Sequence, residues 1–269
     1  MDKNCRAASI VMAAGRGSRM EGYSGNKALL PLMPGPSPFR GENPVLGEII
    51  KRLPNGPKAI VVHHRKDDII KATAALDLRY CDQPELNGTG GALLAAREFI
   101  EEQDCPGIII SMGDVPFVSG LTYCALIEKI ADDHMVILGF QPEYKKQYGV
   151  IETENGEVKR IVEWQYWKAF PQEKQEKLKL CNSGIYAFRK ESLLYYLNVL
   201  ASRPHRVMKD IEGISTEISE YFITDMVEFM VRDNLSVGYV VADDEEEVMG
   251  IDDVPALLKA QEIYRTKYA

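Results

Sequence analysis

The chain has 269 residues, of which 45% are hydrophobic, so it can bury on the order of three quarters of its unfolded surface in one large domain or two fused lobes. A formal net charge of -8 argues against a nucleic-acid surface, because such binding needs a basic face. A membrane span needs roughly 18 continuous apolar residues, and no run in the sequence approaches that length.

Cysteine and histidine spacing gives no metal or disulfide signature. Neither residue type shows ligand spacing, no C-x-x-C pair occurs, and the number of cysteines is odd: Cys5, Cys81, Cys105, Cys124 and Cys181. The apolar stretch at residues 7–14 lacks a basic n-region of the length normal for a signal peptide and runs directly into the turn at Gly15. We therefore expect reduced thiols in a cytoplasmic protein.

The first predicted element is a buried strand at residues 9–12, followed by a glycine turn that contains Gly15 and Gly17. Arg19 and Lys27 flank this turn. Glycines let backbone N–H groups close on a polyanion while the two cations neutralise its charge, so the pattern predicts a triphosphate ligand. Met20 stands where a dinucleotide-binding loop or a Walker A loop needs other residues. A glycine turn after a strand can also be purely structural.

The following elements alternate between strands and helices. Prolines and glycines at residues 33–44 predict a segment without regular structure. Further along, strands are predicted at residues 59–63, 108–112 and 135–138, and helices at 92–102 and 121–130. Such alternation predicts a parallel sheet whose ligand crevice lies at the carboxyl ends of its strands. The glycine turn and the turn at residues 113–116 should therefore face one cleft.

The second half of the sequence has a different pattern of predicted elements. Residues 150–152 and 158–162 flank an Asn155-Gly156 turn and predict a hairpin added to the main sheet, within a lobe over the cleft. Residues 165–180 predict either a helical excursion or a mobile lid. The acidic run at residues 243–247 predicts a solvated turn or helix start. Apolar residues that include Leu257, Leu258, Ile263 and Tyr264 predict a packed helix at the end of the chain.

Several blocks of the sequence are together similar, in order and spacing, to one known family. The blocks are residues 13–20, 26–32, 83 with 88–92, 112–117, 148–151, 161–164, 182–188, 221–226 and 248–253. They resemble the sugar-1-phosphate nucleotidyltransferases, and most closely the uridylyltransferase domain of the bacterial N-acetylglucosamine-1-phosphate uridylyltransferases. The resemblance implies an α/β fold in which helices flank a Rossmann-like mixed, mainly parallel sheet. This nucleotide-diphospho-sugar transferase fold carries a sugar-binding lobe.

The resemblance also implies a reaction and its catalytic residues. A sugar-1-phosphate oxygen attacks the α phosphorus of UTP in line, and pyrophosphate leaves. Arg19 is implied to lie on the β and γ phosphates, and Lys27 on the α phosphate and the sugar phosphate. An isolated Lys is otherwise an exposed cation. A phosphate monoester has a second pKa of about 6, so the nucleophile is mostly ionised at neutral pH and needs no general base. Catalysis then depends on positioning and charge stabilisation.

Mg²⁺ is the cofactor that the resemblance implies. Asp114 follows Gly113 at a predicted strand end, where a carboxylate can meet a metal-bound triphosphate, although Asp is also a common helix cap. In the family this Asp binds the ion, and the second ligand falls on Asp252. Many uridylyltransferases carry Asn at that position, whereas a carboxylate is expected among related thymidylyltransferases. Magnesium suits such a site because it takes few protein carboxylates alongside water and substrate phosphates.

The implied binding residues fall into two groups. The nucleotide-binding residues are Ala13, Ala14, Gly15, Gly17, Gln83, Gly88 and Thr89, of which the last three match the segment that reads a uracil or thymine edge. The sugar-binding residues are Gly149, Glu163, Asn182 and Thr224. Polar groups such as Glu163 and Asn182 can instead cap strand ends. Three positions depart from the uridylyltransferases: Leu86 replaces a Gln, Gly91 a His and Phe222 a Tyr.

We therefore expect an enzyme that forms a UDP-sugar, with N-acetylglucosamine-1-phosphate as the preferred sugar phosphate. The alternatives are a uridylyl- or thymidylyltransferase for another hexose-1-phosphate, and a non-catalytic module that binds nucleotide sugars. The expected partners are small molecules rather than nucleic acid or membrane, and the oligomeric state is left open. We expect a single domain over residues 1–269, with a nucleotide-binding half at 1–120, a sugar-binding half at 121–253 and a terminal helix at 254–269. The sequence shows no hexapeptide periodicity, so we expect no acetyltransferase β-helix.

Overall fold

The computed structural model describes residues 5–17, 19–211 and 214–268. Predicted elements and blocks that include Ser18 or Ala269 extend outside the described residues at those two positions. Within the described residues the strands are, in chain order, β1 (Ala8–Met12), β2 (Pro31–Ser37), β3 (Arg40–Pro44), β4 (Lys58–Val62), β5 (Arg79–Asp82), β6 (Gly107–Met112), β7 (Met135–Phe140), β8 (Val150–Glu154), β9 (Glu157–Val162), β10 (Cys181–Arg189), β11 (His205–Ile211), β12 (Ile214–Glu220) and β13 (Val237–Val241).

The helices connect and cover these strands. They are α1 (Val45–Arg52), α2 (Lys66–Ala72), α3 (Gly88–Ala95), α4 (Arg97–Glu101), α5 (Gly120–Lys129), α6 (Trp164–Trp167), α7 (Gln172–Lys177), α8 (Lys190–Ala201), α9 (Asp225–Arg232) and α10 (Val254–Lys267), with short 3-10 helices at Lys27–Leu29 and Glu245–Val248. Across the described ranges, no helix combines the length and apolar character needed to cross a membrane.

The central sheet is mixed and mainly parallel, as the family resemblance implied, whereas the pattern of elements alone predicted a parallel sheet. Its strand order is β13-β7-β10-β6-β1-β4-β5, and the β8–β9 hairpin joins it through β10. Only β10 runs antiparallel to its neighbours β6 and β7 on this path. Strand β1 is buried on both faces, with Ile10 and Val11 in separate apolar cores on opposite sides of the sheet. Because β1 and β6 are parallel neighbours, their carboxyl ends open at the same edge.

Most of the local predictions are confirmed. The predicted strands and the helix at residues 121–130 match observed elements to within two residues, and the β8–β9 hairpin turns through Asn155 and Gly156, which both have positive φ. The predicted helix at residues 92–102 is divided at Ala96 into α3 and α4. The excursion at residues 165–180 contains the short helices α6 and α7. Helix α10 is present, but Leu258 is exposed on it rather than packed.

The prediction of an irregular segment at residues 33–44 is wrong. This segment forms most of the antiparallel hairpin β2–β3, which has an irregular register between Pro34 and Ser37. A two-stranded ribbon has two free edges, so a proline that lacks an N–H can face outward without removing a bond between the strands. The prolines are therefore compatible with pairing here, although they would disrupt a central strand.

Long-range contacts correct the expectation of reduced thiols. They also correct one residue of the acidic run, although residues 243–245 are exposed at the start of a 3-10 helix, as predicted. Cys5 and Cys124 form a disulfide across a sequence separation of 119 residues, whereas Cys81, Cys105 and Cys181 are free and buried. In the acidic run, Glu247 is not a solvated charge. Its carboxylate accepts hydrogen bonds from the Ser119 N–H at 2.7 Å and from the Thr122 hydroxyl at 2.5 Å, at the start of α5.

Candidate active site

The glycine loop leaves the end of β1 and supports the side chain of Lys27. Gly17 has φ +62°, and a Cβ added there would lie 3.4 Å from Lys27 Cδ. A glycine at this position therefore adopts the left-handed backbone without strain and lets the Lys27 stem lie across the loop. The backbone N–H of Ala13 donates to the Val61 carbonyl at 3.0 Å, which holds the beginning of the loop against β4.

Asn26 fixes Lys27 to this loop, a role that the sequence analysis did not assign. The side chain is buried, and its Nδ2 donates to the carbonyls of Ala13 and His64, both at 2.9 Å. Its Oδ1 accepts from the N–H of Ala28 at 3.0 Å and caps the 3-10 helix that begins at Lys27. Asn26 therefore satisfies three backbone groups and sets the direction in which Lys27 leaves the backbone.

The four residues predicted for catalysis and metal binding form one cluster. Lys27 Nζ contacts Asp114 Oδ2 directly and lies 3.0 Å from Asp252 Oδ1, and Arg19 donates to the same Asp252 oxygen at 2.9 Å. Burial by itself lowers the pKa of the Lys27 ammonium, but the Asp114 and Asp252 carboxylates outweigh burial and raise it. Lys27 is therefore a fixed cation at neutral pH.

The backbone holds the two carboxylates opposite one another. Asp114 follows the end of β6, and the N–H of Ile251 donates to its carbonyl at 2.9 Å. This bond places the segment that carries Asp252 beside the β6 end, although the two residues are far apart in the chain. Within the described ranges, no group of three or more His, Cys, Asp or Glu side chains is arranged to hold a metal ion. Two carboxylates that converge on one cationic nitrogen still suit Mg²⁺, because this ion completes its shell with water and substrate phosphates.

The residues predicted to bind the base lie at the end of β5 and at the start of α3. Gln83 follows β5, and its Nε2 lies 3.3 Å from the Gly88 carbonyl. The Thr89 hydroxyl accepts from the N–H of Ile223 at 3.2 Å, and the N–H of Gly90 donates to the Tyr221 carbonyl at 2.8 Å. The base segment is thus joined to residues 221–223, which immediately precede the predicted sugar residue Thr224.

The predicted sugar-binding residues also lie together. A Cβ added at Gly149 would be 3.3 Å from Glu163 Oε2, and the N–H of Asn182 donates to the Gly149 carbonyl at 2.8 Å. Burial, followed by the charge of Asp225, raises the pKa of Glu163, and a hydrogen bond from Thr224 partly offsets this. The group therefore combines a solvent-accessible carboxylate with amide and hydroxyl groups, which suits sugar hydroxyls.

Two neighbours of this group were not singled out by the sequence analysis. His205 Nε2 lies 2.8 Å from Asp225 Oδ2, and its ring packs edge-on against Phe222 with centroids 5.3 Å apart. Tyr148, which precedes Gly149, connects the sugar group to the charged cluster. Burial, followed by the Asp252 carboxylate, raises the pKa of the Tyr148 hydroxyl. Tyr148 is therefore adjacent to Gly149 in the chain and within electrostatic range of the charged cluster.

Comparison with known proteins gives a consistent assignment. The profile of the MobA-like NTP transferase domain matches residues 9–192, which include Lys27, Asp114 and Glu163. The chain is 29% identical over 257 residues to the bifunctional protein GlmU of Caldicellulosiruptor saccharolyticus, covering 94% of this chain and 50% of that protein. It is 32% identical over 219 residues to GlmU of Fervidobacterium nodosum, covering 79% and 42% respectively. The chain thus spans about half the length of these relatives.

Two solved structures share the fold across nearly the whole chain. A nucleotidyl transferase from Methanothermobacter thermautotroptrophicus superposes with a TM-score of 0.62 at 18% identity, covering 97% of this chain and 98% of that one. A putative glucose-1-phosphate thymidylyltransferase from Bacillus anthracis gives 0.69 at 17% identity, covering 97% and 96%. Both have the nucleotide-diphospho-sugar transferase fold. From the profile match over most of its length, the chain belongs to the MobA-like NTP transferase family.

Proposed function

We propose that this protein forms a UDP-sugar and pyrophosphate from UTP and a sugar-1-phosphate, with N-acetylglucosamine-1-phosphate as the preferred sugar phosphate. The observation that carries the proposal is the convergence of Lys27, Arg19 and the two carboxylates of Asp114 and Asp252. A module that only bound nucleotide sugars would not need cations placed for a leaving pyrophosphate. Family membership and the sequence similarity to GlmU proteins support the same reaction class.

In this proposal the residues of the chain position two phosphates and neutralise their charge. Lys27 lies between the α phosphate of the nucleotide and the sugar phosphate, and Arg19 stabilises the departing β and γ phosphates. The sugar phosphate is mostly ionised at neutral pH because its second pKa is about 6, so its oxygen attacks without a general base. Most of the rate enhancement then comes from charge stabilisation and orientation of the two phosphates.

Asp114 and Asp252 are the residues that would hold Mg²⁺. The ion, when bound, would supply positive charge next to the phosphate oxygens. The two carboxylates form ion pairs with Lys27 and Arg19 in this structure. A bound divalent cation would neutralise the carboxylates in place of these side chains. The cations would then be free to contact substrate phosphates.

Glu163, Asn182, Thr224 and the backbone at Gly149 would hold the sugar. A carboxylate and an amide together accept and donate hydrogen bonds, as sugar hydroxyls and an N-acetyl group require. Phe222 has no hydroxyl where the uridylyltransferases carry Tyr, and this favours testing glucose-1-phosphate as a second candidate substrate. Either sugar leaves the phosphate chemistry unchanged.

The proposal is tested by measuring pyrophosphate release with five nucleoside triphosphates against several sugar-1-phosphates, with and without a chelator. We expect the fastest release with UTP and N-acetylglucosamine-1-phosphate, and none after chelation. Faster pyrophosphate release with dTTP than with UTP would make dTTP the nucleotide substrate. Faster release with glucose-1-phosphate than with N-acetylglucosamine-1-phosphate would likewise make glucose-1-phosphate the sugar substrate. No release with any pair, together with measurable binding of a UDP-sugar, would overturn the enzymatic proposal in favour of a binding module.

A further inference from the structure

The side-chain amide of Gln83 is held in a single orientation. Gln83 is only 2% exposed, and its Nε2 donates to Asn87 Oδ1 at 2.9 Å and to the Gly88 carbonyl at 3.3 Å. Because a carboxamide nitrogen carries two hydrogens, both of its donors are used. In the described part of the chain, Gln83 Oε1 has no hydrogen-bond partner. Gln83 therefore presents a fixed acceptor to whatever binds beside it.

Asn87 can hold this amide only because residue 91 is a glycine. A Cβ added at Gly91 would lie 1.7 Å from Asn87 Oδ1 and 2.4 Å from its Cγ, which is far inside van der Waals contact. Any side chain at position 91 would therefore expel the Asn87 side chain. The backbone of Asn87 cannot move away freely, since its carbonyl accepts from the Tyr221 N–H at 2.9 Å. Asn87 and Gly91 thus act as one unit.

The backbone of Gln83 is fixed as well. Its N–H donates to the Val62 carbonyl at 2.9 Å, and its carbonyl lies 2.7 Å from His63 Nδ1. Rotating the amide by half a turn would place Oε1 against the Asn87 and Gly88 oxygens. The Gly88 carbonyl cannot turn, so a contact between acceptors would replace that hydrogen bond, and the Asn87 hydrogen bond would survive only if the Asn87 amide turned as well. The orientation is therefore determined by its partners and not by Gln83 itself.

We propose that Asn87, accommodated by Gly91, determines base specificity by holding the Gln83 acceptor against the ring N3 position of the base. The proposal rests on the proposed function, in which the base is uracil. Uracil has a single N–H on its pairing edge, at N3, so a fixed acceptor on that edge can only meet that hydrogen. Thymine offers the same N3–H. Cytosine carries a lone pair at N3, which would face the Gln83 oxygen and be repelled.

The geometry explains why the additional residue is needed. An unrestrained glutamine can turn its amide and present either oxygen or nitrogen at the same place, so it serves uracil and cytosine alike. When Asn87 Oδ1 accepts from Gln83 Nε2, Gln83 can turn its amide nitrogen toward cytosine only by losing this hydrogen bond. A net hydrogen bond is worth about 0.5–1.5 kcal/mol, so discrimination between UTP and CTP should change by up to about tenfold when Asn87 is removed.

Equilibrium binding of UTP and CTP to three variants tests this proposal. Asn87→Leu removes the acceptor at similar size, Gly91→Ala displaces Asn87 by a different route, and Asn87→Asp keeps an oxygen for Gln83 Nε2. We expect UTP to bind wild type more tightly than CTP. The ratio of the two dissociation constants should fall up to about tenfold in Asn87→Leu and Gly91→Ala, and remain in Asn87→Asp.

A purely structural role would weaken both nucleotides equally in these variants, and an unchanged ratio would overturn the proposal. So would a wild type that prefers CTP. If one of the two disruptive variants does not fold, as judged by its melting temperature, the ratio in the other decides. The outcome is separable from the proposed function. Selective UTP binding without pyrophosphate release refutes the enzymatic proposal alone, whereas UDP-sugar synthesis with unaltered selectivity in Asn87→Leu refutes this inference alone.

Discussion

Replacing Lys27 with Met should remove most of the turnover and leave the fold intact. The Lys27 side chain is 19% exposed, and its ammonium lies within 3.0 Å of Asp252 and in direct contact with Asp114. Two unit charges 4 Å apart interact by about 4 kcal/mol at the effective dielectric of a protein surface. Loss of one preorganised charge donor typically costs about 100- to 1,000-fold in kcat, and we expect the Lys27→Met variant to fall in this range.

The structure also gives the expected effect on stability. Methionine keeps the apolar stem that crosses Gly17, but Asp114 loses its cation, while Asp252 keeps Arg19. A partly buried group left without its partner costs about 1–3 kcal/mol. This should lower the melting temperature by several degrees in a chain of this length. The fold should therefore persist at room temperature, and circular dichroism would confirm this.

Lys51→Met provides the matched control, because Lys51 is 75% exposed and lies 3.9 Å from Glu48 on the surface of α1. Pyrophosphate release should be normal in this variant. The assay is a steady-state measurement of kcat and of both Michaelis constants under saturating Mg²⁺. A folded Lys27→Met variant with nearly wild-type kcat would refute the catalytic role. A change confined to the Michaelis constants would show that Lys27 contributes to ground-state binding only.

Three further changes have distinct readouts. Asp252→Asn should raise the Mg²⁺ concentration for half-maximal pyrophosphate release, and an unchanged requirement would remove Asp252 from the metal site. Because burial and then Asp225 raise the pKa of Glu163, its ionised form appears only at higher pH. The Michaelis constant for the sugar phosphate should therefore fall as pH rises through that pKa, whereas Glu163→Gln should leave only the dependence due to ionisation of the sugar phosphate itself and leave the constant for UTP unchanged. Cys5→Ser opens a loop of 119 residues and should lower the unfolding free energy by up to about 5 kcal/mol under oxidising conditions; equal stability with and without reductant in wild type would contradict this.

Local patterns in the sequence were sufficient for four strands of the sheet, β1, β4, β6 and β7, and for the hairpin β8–β9, but not for β5, β10 and β13. Strand β1 is buried at every position and apolar at all but Ser9 because both of its faces are covered, and Asn155-Gly156 supplies the two positive φ angles of a tight turn. Such features depend on neighbours in the chain. The proline-rich hairpin β2–β3 shows the opposite case, because composition argued against a strand while the geometry of a two-stranded ribbon permits one.

The residue pattern alone predicted a triphosphate ligand beside Arg19 and Lys27, but the complete candidate site, with Asp252 and the sugar residues, could be predicted only through resemblance to a family. Lys27 and Asp252 are separated by 225 residues, and no local spacing connects them. Asn26 and Asn87 were missed as positioning residues for the same reason, since their roles depend on contacts such as those with His64 and Gly91. The disulfide of Cys5 could not be derived from cysteine count, because an odd number says nothing about which two thiols meet in the fold.

The balance of charge in the cluster has a consequence for substrate binding. Two cations face two carboxylates, so the protein neutralises its own site, and the partners are held at about the distances of ordinary ion pairs. A triphosphate alone would have to draw Lys27 and Arg19 away from Asp252 and leave that carboxylate facing its phosphates. A divalent cation alone would be repelled by the same two side chains. Binding of either therefore favours binding of the other, and by linkage the coupling must be equal in both directions. The proposed reaction thus requires the metal and the nucleotide to bind together, because each supplies the counter-charge that the other displaces.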